Sequence, residues 1–354
     1  MKKPKFINKK WLVITVIALV LVVFSFLNEQ KSINAQTIVL ALSLDKNGDE
    51  YEMGVQALKT TETEKQEFIS YFAKGDNLSD IIEKLNYDTG NTLTLCHAMV
   101  LILGQNVLNQ DDDKAMRFFF EGQILCNNTM VVAAKDNPKD VLSPTLTNGI
   151  GAGYYLGTML RNVGGDLGVI PMTIKDYFKN KFRIGSCIYL PCVAYKEEGD
   201  SKYLDVTESY ISDGKTGVIL SETATRGLSL VLNNGVGHGS IPFDTETSMG
   251  EVNLVKSSAD IKIEKTADTA KLQIKTTVKN KTYVAGKIND EECKKYVGNK
   301  ITEYVNECYE QCKSAGLDVF YLGQRCYAYE NELYKDPDYI DKIKLEVEVK
   351  ISLK

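Results

Sequence analysis

Between Trp11 and Leu27 the chain reads WLVITVIALVLVVFSFL, with no charge and only Thr15 and Ser25 polar. At about 1.5 Å per residue, a helix over this run spans about 25 Å, enough to cross a thin hydrocarbon core. Lys2, Lys3, Lys5, Lys9 and Lys10 precede the run, and no acid occurs before Glu29. Lysines so placed stay cytoplasmic and send the residues after Leu27 across the membrane. A segment apolar on every face does not suit the rim of a globular core. The sequence therefore predicts an N-terminal membrane anchor, residues 1–30, retained as a single span. The competing reading is a signal peptide cleaved after Ala35, against which stands the polar stretch between the run and that site. No cysteine lies near the end of the run to carry a lipid.

The rest of the 354 residues has the make-up of a globular protein, 44% hydrophobic and 25% charged, which excludes disorder and low-complexity architectures. Setting the five leading lysines aside leaves 42 - 5 = 37 basic against 47 acidic residues. An acidic body with no basic stripe repels phosphate backbones, so nucleic acid is not an expected partner.

The cysteines are Cys96, Cys126, Cys187, Cys192, Cys293, Cys308, Cys312 and Cys326, and the histidines His97 and His238. An exported chain invites a disulfide reading, but spacing alone selects no pairing, and Cys187 with Cys192 is one option among many. No CxxC pair occurs, so zinc has little support. Cys293, Cys308 and Cys312 share a helical stripe with Val297, Ile301 and Val305, which reads as core packing.

Thr37 to Leu44 reads as a buried strand, and Tyr51 to Gln56 as its hairpin partner across Asn47-Gly48. An EF-hand fails on spacing, because its glycine belongs at the sixth loop position and Gly48 is fourth from Asp45. Glu62 to Ala73 and Leu78 to Leu85 read as helices, the second capped by Asp76 or Asn77. Thr92 to Leu103 suits a central strand. Asp111, Asp112 and Asp113 lead into a helix over Met116 to Phe120. Met130 to Ala134 is a short strand, ended at Asn137-Pro138 before a short helix.

From Thr147 to Gly168 glycines crowd the chain. Gly149-x-Gly151 has Tyr154 where a dinucleotide fingerprint needs glycine, and no strand leads in, so a surface or interdomain loop is expected. Gly235 to Gly239 reads similarly, and His238 within it has no evident acid or nucleophile partner. Ile188 to Tyr195, Tyr203 to Tyr210 and Thr216 to Leu220 read as strands, and Thr223 to Leu232 as ending in another. Ser257 to Thr282 alternates with period two. Asn289 and Glu292 form a capping box for a helix whose apolar stripe runs from Cys293 to Cys312 and which Gly316 closes. Ile343 to Leu353 alternates throughout and is expected as a half-exposed antiparallel strand.

The class is therefore α+β: an N-terminal transmembrane helix, then a multi-domain mixed α/β extracytoplasmic part with antiparallel sheets. Expected units are an N-terminal α/β domain at 31–165, a middle β-rich domain at 166–258 and a C-terminal α+β domain at 259–354.

These segments, in this order, resemble the Ger(x)C family, the C subunits of bacterial spore germinant receptors. ALSLDKNGDEYEMGVQ (41–56) is similar to the family's opening, with Ala41, Ser43 and Gly54 departing from it. LTLCHAMVLILGQNVL is similar to its next strand, with His97 at the histidine position and Met99 in place of a polar residue. FFFEGQILCNNTMVVAAKDNPKDVL resembles the segment after that. Thr225, Arg226 and Gly227 match its most specific motif, and Asp318, Phe320 and Gly323 match a "D-x-f-g-f-G" motif before the final strand. Family members usually carry a lipobox cysteine, which this chain lacks.

The resemblance implies a noncatalytic protein on the outer face of the inner spore membrane, needed for response to nutrients, with germinant receptor A and B subunits as membrane partners. It carries over no catalytic, cofactor-binding or metal-binding residue, and no cofactor. The readings weighed against this one are a tethered hydrolase using paired carboxylates or Cys96/His97, and an extracytoplasmic ligand-binding or cell-envelope protein that reuses the fold. Neighbours on a strand face opposite ways, so Cys96 and His97 do not suit a nucleophile–base pair.

Overall fold

The computed structural model of the chain describes residues 13–21, 36–60, 66–110, 113–143, 146–147, 149–163, 166–183, 187–233 and 236–354. Within the apolar run, α1 (13–21) is helical with every residue exposed. Nine helical residues rise only about 14 Å, and among the described residues no helix is long and apolar enough to cross a membrane. The expected transmembrane helix is thus not found there. The ends of the run, the five lysines and Ala35 lie outside the described residues.

A mixed sheet occupies the first part of the chain. Its elements are β1 (Gln36–Asn47), β2 (Glu50–Thr60), β3 (Gln66–Gly75), α2 (Leu78–Thr89), β4 (Thr92–Thr94), β5 (Val100–Leu103), α3 (Gln105–Asn109), α4 (Asp113–Glu121), β6 (Met130–Ala134), α5 (Pro138–Leu142), α6 (Ala152–Asn162), α7 (Ile174–Lys181), β7 (Ile188–Glu198), β8 (Ser201–Ser212) and β9 (Gly217–Leu220). The spatial order is β3-β2-β1-β5-β6-β7-β8-β9, with β4 beside the start of β1. Strands β1, β5, β6 and β7 run parallel, flanked by antiparallel neighbours. Helices cover both faces. Leu42, Leu44, Leu101 and Leu103 point to the core shared with α2, α4 and α7. Ala41, Val100, Ile102 and Val132 point to the core shared with α5 and α6. Burial on both sides explains why these strands read as continuous apolar runs. The β1–β2 hairpin forms as expected, with Gly48 at φ 64° in the first of two turn positions, the place glycine takes in a type II′ turn.

The second part contains α8 (Glu222–Leu232), β10 (Gly239–Asp244), β11 (Met249–Ile263), β12 (Thr269–Ala285), α9 (Asp290–Ser314), α10 (Leu322–Ala328), α11 (Tyr339–Lys342) and β13 (Lys344–Leu353). Its sheet has the order β10-β11-β12-β13, and one core joins the inner faces of its strands to α8 and α9. Asn289 caps α9 as expected, its side chain accepting the Glu292 amide at 2.9 Å, and Gly316 follows the helix at φ 71°. Residues 166–258, expected as a middle unit, supply β7–β9 to the first sheet and β10 and β11 to the second.

Five local expectations are corrected. The described part of Glu62–Ala73 is strand β3, paired with β2 from Thr60↔Gln66 to Tyr51↔Gly75. Phe68, Ile69, Phe72 and Ala73 have helical spacing, but an open sheet edge and aromatic, β-branched residues favour the strand. The span Thr92–Leu103 is broken by a 3₁₀ turn at Leu95–His97. The glycine-rich stretch holds α6, whose glycines face the sheet; a Cβ on Gly153 would overlap Ala41, and one on Gly157 would overlap Met99. Thr223–Leu232 belongs to α8, begun by Ser221, whose hydroxyl accepts the Ala224 amide at 3.1 Å. Strand β13 runs parallel to β12, because α9, α10 and α11 form a crossover between them, the connection parallel pairing requires.

Candidate functional site

The residues that carry the family likeness gather at joints of the fold. At the end of β1, Asp45 is half-buried, and burial raises its carboxyl above the usual range. The amides of Lys46 and Val107 and the Asn106 side chain pull it down, while the Glu52 charge adds to the rise. Val107 sits in the first turn of α3, next to the Asp45 carboxyl, whose Oδ1 is buried without a hydrogen-bond partner. Gly104 leaves room for the carboxylate, which a Cβ there would strike. Nearby, Glu52 bridges Lys74 at 3.3 Å and Lys139 at 3.5 Å.

Farther along β2, Gln56 is almost fully buried. Its amide nitrogen donates to the Leu142 carbonyl at the end of α5, and its oxygen accepts the Gly153 amide at the start of α6, both at 2.9 Å. Thus one side chain fixes two helices to the same strand.

The second joint lies where the two sheets meet. Asp318 is buried, and its carboxylate accepts the Leu322 amide at 2.8 Å, the Gly323 amide at 2.7 Å and the Tyr339 hydroxyl at 2.8 Å. Burial raises its pKa, and these three donors act against the rise. Gly323 is required at this place because a Cβ would meet the Tyr339 ring. Tyr321, at φ 56°, turns towards the first sheet, with its hydroxyl 3.4 Å from the Cys187 carbonyl and its ring under the Arg183 guanidinium. The Thr-Arg-Gly motif lies on α8. Gly227 is pressed against the backbone of α9 at Tyr304, Arg226 pairs with Glu222 at 2.7 Å, and its guanidinium lies over the Tyr304 ring. What these groups do chemically is anchor helix ends and let helices cross closely. A reading of residue types alone missed these roles; an acid four residues before a helix start is their one local signal.

The other candidates are dispersed. Cys96 and His97 are both exposed on the 3₁₀ turn. His238 is exposed, and its carbonyl accepts the Leu167 amide at 2.8 Å. Gly149 and Gly151 precede α6, and a Cβ on Gly151 would strike Phe68. Gly235 lies outside the described residues. Cys293, Cys308 and Cys312 are buried on α9, Cys187 is buried just before β7, and Cys192 is buried within it. Among the described residues no group of three or more His, Cys, Asp and Glu side chains is placed to hold a metal ion. An open groove of about 560 Å³ crosses the outer face of β11–β13, lined by Asp260, Lys262, Lys271, Gln273, Glu346 and Glu348. Within it Gln273 donates to Glu348 at 2.8 Å, and Lys262 pairs with Asp260 at 3.5 Å. Ile263, Leu272, Tyr329 and Val347 also line it, and it is open to solvent where small-molecule sites usually enclose their ligand.

A profile described as the spore germination protein N-terminal domain matches residues 29–195, and one described as spore germination B3/GerAC like, C-terminal, matches 210–354. The chain belongs to this Ger(x)C family of spore germination proteins, a family of receptor subunits. The fold is similar to the crystal structure of the GerBC protein, with a TM-score of 0.52 at 15% identity, covering 88% of this chain and 96% of that one. Comparison with curated proteins gives no match.

Proposed function

We propose that this chain is a noncatalytic subunit of a spore germinant receptor and acts in nutrient-triggered germination beside A and B subunits in the membrane. The observation that carries the reading is the pair of spore germination profiles, which together reach from residue 29 to 354. It is supported by the use of the motif residues Gln56, Gly227 and Asp318 as structural anchors. In this reading the run Trp11–Leu27 holds the chain in the membrane as a single span, and the body stands on the extracytoplasmic side. Residues 28–35 reach at most about 28 Å, so β1 and the edge of the sheet on which it begins stay near the lipid surface.

The test is a strain lacking the gene, with nutrient-triggered release of spore core contents followed beside a non-nutrient trigger. Selective loss of a nutrient response is the expected result. Normal nutrient germination, with no paralogue to replace the protein, would overturn the reading.

A further inference from the structure

We propose that Cys96 and Cys126 are a reversible disulfide site on the edge of the first sheet where β1 begins. The pair follows from register. Strands β5 and β6 run parallel with Val100 opposite Met130, and four residues back along each lie Cys96 and Cys126. The two segments remain side by side over that interval. The Met130 amide donates to the Met99 carbonyl at 2.9 Å, and the Thr129 hydroxyl donates to the Ala98 carbonyl at 2.9 Å. The Cys126 thiol then donates to the Cys96 carbonyl, also at 2.9 Å. The Cys126 sulfur is thus in contact with the Cys96 backbone, and a disulfide asks that the two Cα atoms stand roughly 4.4–6.8 Å apart.

Exposure separates these two from the other six cysteines. Cys96 and Cys126 are exposed, and Cys187, Cys192, Cys293, Cys308, Cys312 and Cys326 are buried. Burial also pushes the Cys192 thiol up to about 12 and that of Cys326 up to about 11, which keeps them protonated and unreactive. The redox chemistry of the chain is thereby confined to one pair.

The oxidant is a small disulfide such as oxidised glutathione. One protein thiolate attacks a sulfur of that disulfide, forms a mixed disulfide and releases the first small thiolate. The second protein thiolate attacks the mixed disulfide at the protein sulfur and releases the second. Two protein thiols become one disulfide, one small disulfide becomes two small thiols, and the two protons pass to the released thiolates. The bond ties the turn before β5 to the turn before β6, next to β4, which pairs with Gln36–Ile38 at the start of β1. For its oxidant in the cell the site rests on the extracytoplasmic reading above; the chemistry itself does not.

The experiment uses the purified full chain, equilibrated with oxidised and reduced glutathione, quenched by alkylation and read by intact mass and peptide mapping. Two thiols should disappear together without retained glutathione, a Cys96–Cys126 linked peptide should appear, and reduced glutathione should reverse both. Cys96→Ser and Cys126→Ser should each leave a stable glutathione adduct on the remaining exposed cysteine. Amide exchange over 94–99 and 126–129 should slow in the oxidised wild type and in neither variant. Glutathione retained on both wild-type cysteines, a disulfide between two chains, or no loss of thiols would each overturn the proposal. A normal germination response in a deletion strain would overturn the receptor role and leave these masses unchanged.

Discussion

Gln56 accepts the amide of Gly153 at 2.9 Å and, through the other end of the same carboxamide, donates to Leu142. Replacement by leucine keeps much of the volume and leaves the Gly153 amide buried without a partner, while Leu142 still accepts the Ser70 hydroxyl at 3.0 Å. An unsatisfied buried amide costs about 1–3 kcal/mol. Gln56→Leu should therefore lower unfolding stability by about 2 kcal/mol in urea denaturation, and an unchanged midpoint would show that α6 does not depend on this bond.

Gly227 supports a second prediction. Its missing side chain lets α8 lie against the backbone of α9 at Tyr304. Gly227→Ala puts a methyl group into main-chain atoms, which cannot rotate away, and overpacking of this kind costs about 1–3 kcal/mol. Gly48→Ala is the control, since at φ 64° with nothing within 4 Å it adds only conformational strain, about 1 kcal/mol. Thermal unfolding should rank Gly227→Ala as the more damaging; the reverse order would place the helix crossing elsewhere.

Asp318 gives a pH dependence with a definite sign. Its folded pKa lies above the ordinary carboxylate value because burial disfavours the charge. Between the unfolded and folded values the native state binds more protons than the unfolded chain, so stability falls as pH rises through that window. Asn in its place does not titrate and offers one acceptor in place of two. The deficit of Asp318→Asn relative to wild type should be larger at pH 4 than at pH 7 in paired urea titrations. A deficit that grows towards pH 7 would mean that the three donors outweigh burial.

The sequence made some of this visible and hid the rest for physical reasons. Helix α9 was legible because its Asn289 cap, its stripe from Cys293 to Cys312 and Gly316 agree at every level. The hairpin at Gly48 was legible through the conformational needs of one turn. Strand β3 was hidden because Phe68 and Phe72 satisfy helical and strand spacing alike, and only the edge of β2 decides between them. Helix α6 was hidden because Gly153 and Gly157, which lower helix propensity, are there for close approach to Ala41 and Met99. The direction of β13 was hidden because alternation reports which face is buried and carries no sign of orientation. The roles of Asp318 and Gly323 required Tyr339, which no local pattern connects to them.

The receptor reading yields a prediction at the assembly level. Replacing residues 28–35 by a long flexible Gly/Ser linker leaves every described contact of the body in place and removes its confinement near the membrane. Co-purification of the A and B subunits should weaken in spores carrying that variant. Undiminished co-purification would show that the partners hold the body without help from the short tether.

Strand β1 lies inside the sheet, bonded to β2 from Val39 to Asn47 on one side and to β4 and β5 on the other. A pull arriving through the residues before Gln36 acts along the strand, whereas the ladder bonds lie across it. The bonds therefore share the load in shear and do not open one at a time, as they would at a free edge. The body is harnessed by its most deeply held strand, so tension from the N-terminal side would move it as a whole before it could unravel it.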